Sequence, residues 1–128
     1  MFSHVMLGAD DLDASKTFYD ATLGALGITQ SFQDPKGRWF WMTPTGNFAI
    51  TKPIDGASAS CGNGSTIGFA CKSPAEVDAW HAAGVAAGGT AIEDAPGLRN
   101  EGQPTAMYLA YLRDPSGNKL CALHFIGG

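Results

Sequence analysis

SHVMLGADDLDASKTFYDATLGALG, residues 3–27, lies without a gap over STIGFACKSPAEVDAWHAAGVAAGG, residues 65–89, at a constant offset of 62. Each copy begins with a short apolar run, continues through a stretch of helical period and stops at glycine. The second copy spells out its helix start: Ser73 is suited to the N-cap, Pro74 to the first helical position and Glu76 to a capping box. Val77, Trp80 and Gly84 follow at helical spacing. In the first copy Asp11 is the cap, Leu12, Phe18, Tyr19, Leu23 and Leu26 form the apolar face, and Gly27 ends the helix. Helices of this kind must bury one face against a sheet.

Three shorter strand candidates follow each helix. In the first half they are residues 29–33, 38–42 (RWFWM) and 47–53 (NFAITKP), the last two joined by Pro44-Thr45-Gly46. In the second half they are residues 90–93, 106–113 (AMYLAYLR) and 118–125 (NKLCALHF), the last two joined by Asp114-Pro115-Ser116-Gly117. Proline fixes φ, glycine accepts positive φ, and Asp and Asn bond nearby amides, so both joints read as turns. The order is βαβββ twice in an α+β chain, with module one at residues 1–53, a glycine-rich linker at 54–64 and module two at 65–128. At 128 residues the chain is expected to be one domain burying roughly two-thirds of its unfolded surface.

Composition narrows the function. A net charge of -4, with eight Lys and Arg placed singly, offers no stripe for nucleic acid or anionic lipid. No segment approaches the roughly 18 apolar residues of a membrane span, and no leader pattern is evident. Cys61, Cys71 and Cys121 contain no Cys-x-x-Cys pair, which argues against a disulfide framework or a zinc knuckle and for reduced thiols in the cytoplasm.

The strand with His4, the Asp11-Leu12 helix start with Phe18-Tyr19 and Leu23-Gly24, the strand Thr66-Ile67-Gly68-Phe69 and the turn Asp114-Pro115-Ser116-Gly117-Asn118 together resemble the vicinal oxygen chelate superfamily. That superfamily includes glyoxalases, bleomycin-resistance proteins and extradiol dioxygenases. The resemblance implies two βαβββ modules curled into a half-barrel sheet, helices on its convex face, a ligand cleft inside and completion by a homodimer. It also implies metal-ligand positions on four strands. Here those positions hold His4, an apolar residue (Ala49 or Ile50), Thr66 and Cys121, so only His4 matches. A catalytic transition metal needs about three protein donors, and none is therefore expected. His124 lies three residues beyond Cys121 and faces the other side of a regular strand.

The expected function is metal-independent binding of a small molecule. The alternative is a metal-dependent glyoxalase-like lyase or isomerase, or a dioxygenase-related enzyme, in which a divalent metal polarises a substrate oxygen. A third class is a dimeric interaction module with a vestigial cleft. The expected ligand-binding residues are His4, Met6, Trp39, Trp41, Thr66, Gly68, Arg99, Tyr111 and Cys121, with His4 and Cys121 the candidates for catalysis. The resemblance turns Cys121 into the cleft near His4, where a Cys-His pair can activate a thiolate. RWFWM places Trp39 and Trp41 on one face and Phe40 on the other, and the Trp face is expected to meet ligand, together with Tyr111. Residues 93–105 (EDAPGLRNEGQPT) lack periodicity and read as a binding loop with Arg99 as its one cation. Cys71 shares parity with Ile67 and Phe69 and belongs to the core, while Cys61 lies exposed in the linker.

Overall fold

The computed structural model describes residues 1–127. The strand and helix order follows the repeat: β1 (His4–Gly8), α1 (Leu12–Ala25), β2 (Ser31–Gln33), β3 (Trp39–Thr43) and β4 (Gly46–Thr51), then β5 (Ile67–Ala70), α2 (Pro74–Ala86), β6 (Thr90–Arg99), β7 (Met107–Arg113) and β8 (Lys119–Phe125). Each module forms its own open, mixed four-stranded sheet, ordered β1-β4-β3-β2 and β5-β8-β7-β6. The first strand of each module runs parallel to the last, and the remaining pairs are antiparallel. β1 and β5 are therefore edge strands at equivalent places in the two sheets.

Both helices start as their sequences dictate. Asp11 accepts a bond from the Ala14 amide and Ser73 from the Glu76 amide, while the Glu76 carboxylate accepts from the Lys72 amide just before the cap. α1 ends in a Schellman motif, with Gly27 at φ 79° and the Ile28 amide donating to the Leu23 carbonyl. The two helices pack on each other over a shared core of Phe18, Tyr19, Leu23, Trp41, Phe48, Val77, Trp80, Leu112 and Leu120. Contact is close because Gly84 carries no side chain: a Cβ there would stand 2.3 Å from Leu112 Cδ1 and 3.1 Å from Thr22.

Two sequence expectations need correction. Residues 93–105 are not a loop throughout. β6 continues to Arg99 and pairs with β7 on both sides of a bulge, with Ile92 opposite Tyr111 and Gly97 opposite Leu109. Pro96 and Gly97 read as strand breakers, but the bulge accommodates them with Glu93 at φ 57°. The second correction is the facing of β3. Trp41 is 1 % exposed and packs on Tyr19 and Phe48 beneath α1, and Trp39 shares that face. Lys16 and Asp20 of α1 explain the choice, since Lys16 lies over the Trp39 ring at 4.4 Å and Asp20 accepts the Trp41 indole N–H. Phe40 takes the opposite face and stacks on Phe32 with ring centroids 5.2 Å apart.

The modules are joined by buried polar bonds as well as by packing. The Tyr19 hydroxyl donates to Asp114 across 2.5 Å, and the Asn118 side-chain amide donates both to Asp114 and to the Gly8 carbonyl. Burial pushes the Tyr19 hydroxyl well above its ordinary pKa, and the Asp114 charge and hydrogen bond act in the same direction. No helix among the described residues is long and apolar enough to cross a membrane.

Two outcomes are expected. Gly84→Ala should destabilise the chain by about 1–3 kcal/mol in denaturant titration, because overpacking against Leu112 outweighs the gain in helix propensity. A raised folded pKa means that the unfolded chain releases the Tyr19 proton first, so stability should fall as pH rises above the ordinary tyrosine value of 10.0. Tyr19→Phe should be less stable at neutral pH by about 1–2 kcal/mol and should lose less stability between neutral and alkaline pH than the parent chain.

Candidate functional site

A cavity of about 370 Å³ lies between the two modules. It is bounded by the N-terminal ends of β1 and β4, the C-terminal end of β3, the last turn of α1 and the whole of β5. Leu23, Leu26, Trp41, Phe48, Ile67 and Phe69 give it apolar walls. Phe48 and Phe69 meet edge to face at 5.3 Å and so join one module's wall to the other's. His4, Thr43, Thr45 and Asn47 are the polar residues of its lining, and His4 is the one with a titratable side chain among the described lining residues. His4 and Asn47 are direct partners in the parallel β1–β4 register, and the His4 Nδ1 shares a 2.7 Å hydrogen bond with the Ser3 hydroxyl. At the opposite wall Gly68 is exposed, and a Cβ there would meet nothing within 4 Å.

The expected site residues are thus divided. His4, Trp41 and Gly68 line the cavity, with Trp41 reaching it from the helix-facing side of its sheet. Met6 shares the His4 face of β1, in the row containing Ala49 and Phe40, and does not line the cavity. Trp39 lies under Lys16, and Thr66 is exposed just ahead of β5. Cys121 and Tyr111 are direct partners on the face of the second sheet opposite α2, in a row with Gly68 and Ile92. Arg99 shares that face through its pairing with Met107.

The expected Cys121–His4 partnership is not among the contacts. Cys121 is 6 % exposed, and the charged groups that bear on it are Glu93, Lys119 and Arg99. Burial pushes its thiol above the ordinary range and Glu93 adds to this, while Lys119 and Arg99 oppose it. Its surroundings thus favour the protonated thiol over the thiolate. Cys71 is buried in the core with its thiol pushed up to about 11 by burial and by Glu76, whereas Cys61 is exposed; all three cysteines are unpaired. His124 sits on the α2 face and bonds the Cys71 carbonyl.

Among the described residues no three His, Cys, Asp or Glu side chains stand together in a way that could hold a metal ion. The four family positions therefore offer a lone imidazole, an apolar residue, an exposed hydroxyl and a buried neutral thiol, which does not fit a catalytic metal.

Sequence reasoning missed Phe48, Phe69 and Asn47 as lining residues. The aromatics looked like ordinary sheet residues. Asn47 had a usable signal in its place beside the Pro44-Thr45-Gly46 turn, which Asn118 mirrors beside Pro115-Ser116-Gly117 in the second module.

The family model described as the glyoxalase/bleomycin resistance protein/dioxygenase superfamily matches residues 1–122. A glyoxalase/bleomycin resistance protein from Albidiferax ferrireducens T118 is 57% identical, with 97% of this chain and 98% of that chain covered and a TM-score of 0.91. A glyoxalase/bleomycin resistance protein/dioxygenase family enzyme from Burkholderia phytofirmans PsJN (22% identity, 97% and 98% covered, TM-score 0.74) shares the fold. So does a lactoylglutathione lyase from Agrobacterium tumefaciens (23%, 94% and 90%, TM-score 0.64). None of the curated proteins compared matches the chain. With nearly the whole sequence matched and the paired βαβββ architecture in place, the chain belongs to the glyoxalase/bleomycin resistance protein/dioxygenase superfamily.

Proposed function

We propose that this protein binds a small, largely apolar molecule in the cavity between its modules, without a metal. The supporting observation is the cavity itself: its walls are aromatic and aliphatic, and among the described residues its polar lining is limited to His4, Asn47 and two threonines. Apolar walls with a few polar groups that fix orientation are the usual constitution of a small-molecule site. His4 is the natural hydrogen-bonding partner for a ligand hydroxyl or carbonyl. The donor set favours this reading over the metal-dependent lyase, since among the described residues no group of three His, Cys, Asp or Glu gathers around His4. Three unpaired cysteines suit work in the cytoplasm.

The protein acts as a homodimer in this reading. Phe32 and Met42 are 47% and 43% exposed on the His4 face of the first sheet, with Phe40 stacked between them and the core strands. An apolar strip of this kind on an open sheet is a self-association surface, and a second copy is its occupant.

Two experiments test the proposal. With 2-naphthol as probe, thermal denaturation should show the same stabilisation in EDTA as with added zinc or nickel, about 2.7 kcal/mol at a hundredfold excess over the dissociation constant. Stabilisation that requires a divalent metal would rule the reading out. Sedimentation at micromolar concentration should give a dimer, and Phe32→Asp should shift it to monomer; a monomeric parent chain would refute the assembly.

A further inference from the structure

The linker between the modules carries a reactive pair of residues that the cavity does not use. Asn63-Gly64 is the one asparagine–glycine step in the chain, and Asp55-Gly56, a few residues earlier, is its one aspartate–glycine step. Both are open to the same intramolecular reaction, because glycine has no side chain to keep its amide nitrogen away from the carbonyl carbon of the preceding side chain. The fold guards one of them and leaves the other open.

At Asp55-Gly56 both reacting groups are engaged. The Gly56 amide donates to the Pro53 carbonyl at 3.1 Å, and the Asp55 carboxylate accepts from the Ala57 amide at 3.0 Å. Asn63 and Gly64 are instead the exposed central pair of a turn closed by the Ser65 amide on the Gly62 carbonyl. Of the two only Gly64 has positive φ, at 94°, which is the pattern of a type II turn. Among the described residues neither the Gly64 amide nor the Asn63 side chain has a hydrogen-bond partner, and a Cβ on Gly64 would meet nothing within 4 Å. Asn47, Asn100 and Asn118 each precede a residue with a side chain, and Asn47 and Asn118 are also hydrogen-bonded. The chain is held on either side of the open turn. Ala59 donates its amide to Asp10 and lies on Gly8, Cys61 lies beside Gly117, and β5 begins at Ile67. The turn spans the gap between these anchors, so its backbone can change without disturbing the core.

We propose that Asn63 is a site of spontaneous covalent modification, converted in the folded protein to aspartate and isoaspartate. The Gly64 amide nitrogen gives up its proton to solvent and bonds to the carbonyl carbon of the Asn63 side chain. The bond from that carbon to the side-chain nitrogen breaks, and the nitrogen leaves as ammonia with a proton taken back from solvent. Water then opens the resulting succinimide at either carbonyl. One opening gives aspartate, and the other gives isoaspartate, whose backbone runs through the former side chain and is longer by one methylene. Water is the only co-reactant. Either product adds a negative charge to a chain whose formal net charge is -4, and isoaspartate lengthens the linker just ahead of β5, a wall of the cavity.

The test incubates the full chain in reducing buffer, from neutral to mildly alkaline pH, beside synthetic peptides of residues 58–67 and 51–60. An acidic variant should accumulate on isoelectric focusing, faster at higher pH, and peptide mapping should place it at residue 63 as a mixture of aspartate and isoaspartate. Because the turn reacts without having to open, Asn63 in the folded chain should deamidate within about tenfold of its rate in the peptide. Asp55, with both groups engaged, should form isoaspartate more slowly in the folded chain than in its peptide, and by a larger factor. Asn63→Gln, whose ring would be one atom larger, should not acquire the acidic variant. Slowing of Asn63 beyond about tenfold, protection at Asn63 equal to that at Asp55, a first acidic variant at Asn47, Asn100 or Asn118, or acidification of Asn63→Gln at the parent rate would overturn the proposal.

Discussion

The buried carboxylate of Asp114 is the point on which the two halves of the molecule depend. Four donors converge on it: the Tyr19 hydroxyl from α1, the backbone amides of Ser116 and Asn118, and the Asn118 side chain. A buried carboxylate is costly unless its lone pairs are satisfied; three of these donors come from its own turn, and the fourth arrives when the first module's helix docks on that turn. The same bonds shape the turn that delivers β8, and with it the position of Cys121. One side chain therefore couples module docking to the geometry of the face around Cys121.

The two copies of the repeat have kept a common architecture while their surfaces have diverged. Their helices carry different apolar residues at equivalent places, with Phe18 and Thr22 against Trp80 and Gly84, and the mismatch in size is what lets the helices interlock at Gly84. Their outer sheet faces differ more sharply. The first presents Phe32, Phe40 and Met42, whereas the second presents Tyr111 beneath the Lys119 ammonium. The bulge in β6 has no counterpart in the three-residue β2.

How much of this could be read in the sequence follows from how local each signal is. The caps Asp11 and Ser73, the stop at Gly27, the core place of Cys71 and the exposure of Cys61 depend on neighbours a few residues away, and the structure has them as the sequence implies. The facing of RWFWM was not legible, because both of its parities are apolar and aromatic and alternation alone cannot choose between them. Only the pairing of Lys16 and Asp20 with the Trp rings decides it, and that is a contact between elements. The division of the expected site has the same cause. His4 lies on the first strand of one module and Cys121 on the last strand of the other, and which groups surround them depends on how the modules dock and on the bulge at Glu93.

The edge position of β1 has a further meaning for recognition. Toward its C-terminal end the free edge is capped by side chains, with Asn118 donating to the Gly8 carbonyl and Ser116 accepting from the Asp10 amide, where another sheet would supply a strand. Toward its N-terminal end no such cap is present among the described residues, and β1 and β5 border the cavity as two unpaired strand edges. A molecule held there meets peptide groups as well as His4 and Asn47, and peptide groups are the one part of a site that substitution cannot change. Variation among relatives at the lining positions would then tune the shape and depth of the pocket, while much of its hydrogen-bonding capacity stays written in the backbone.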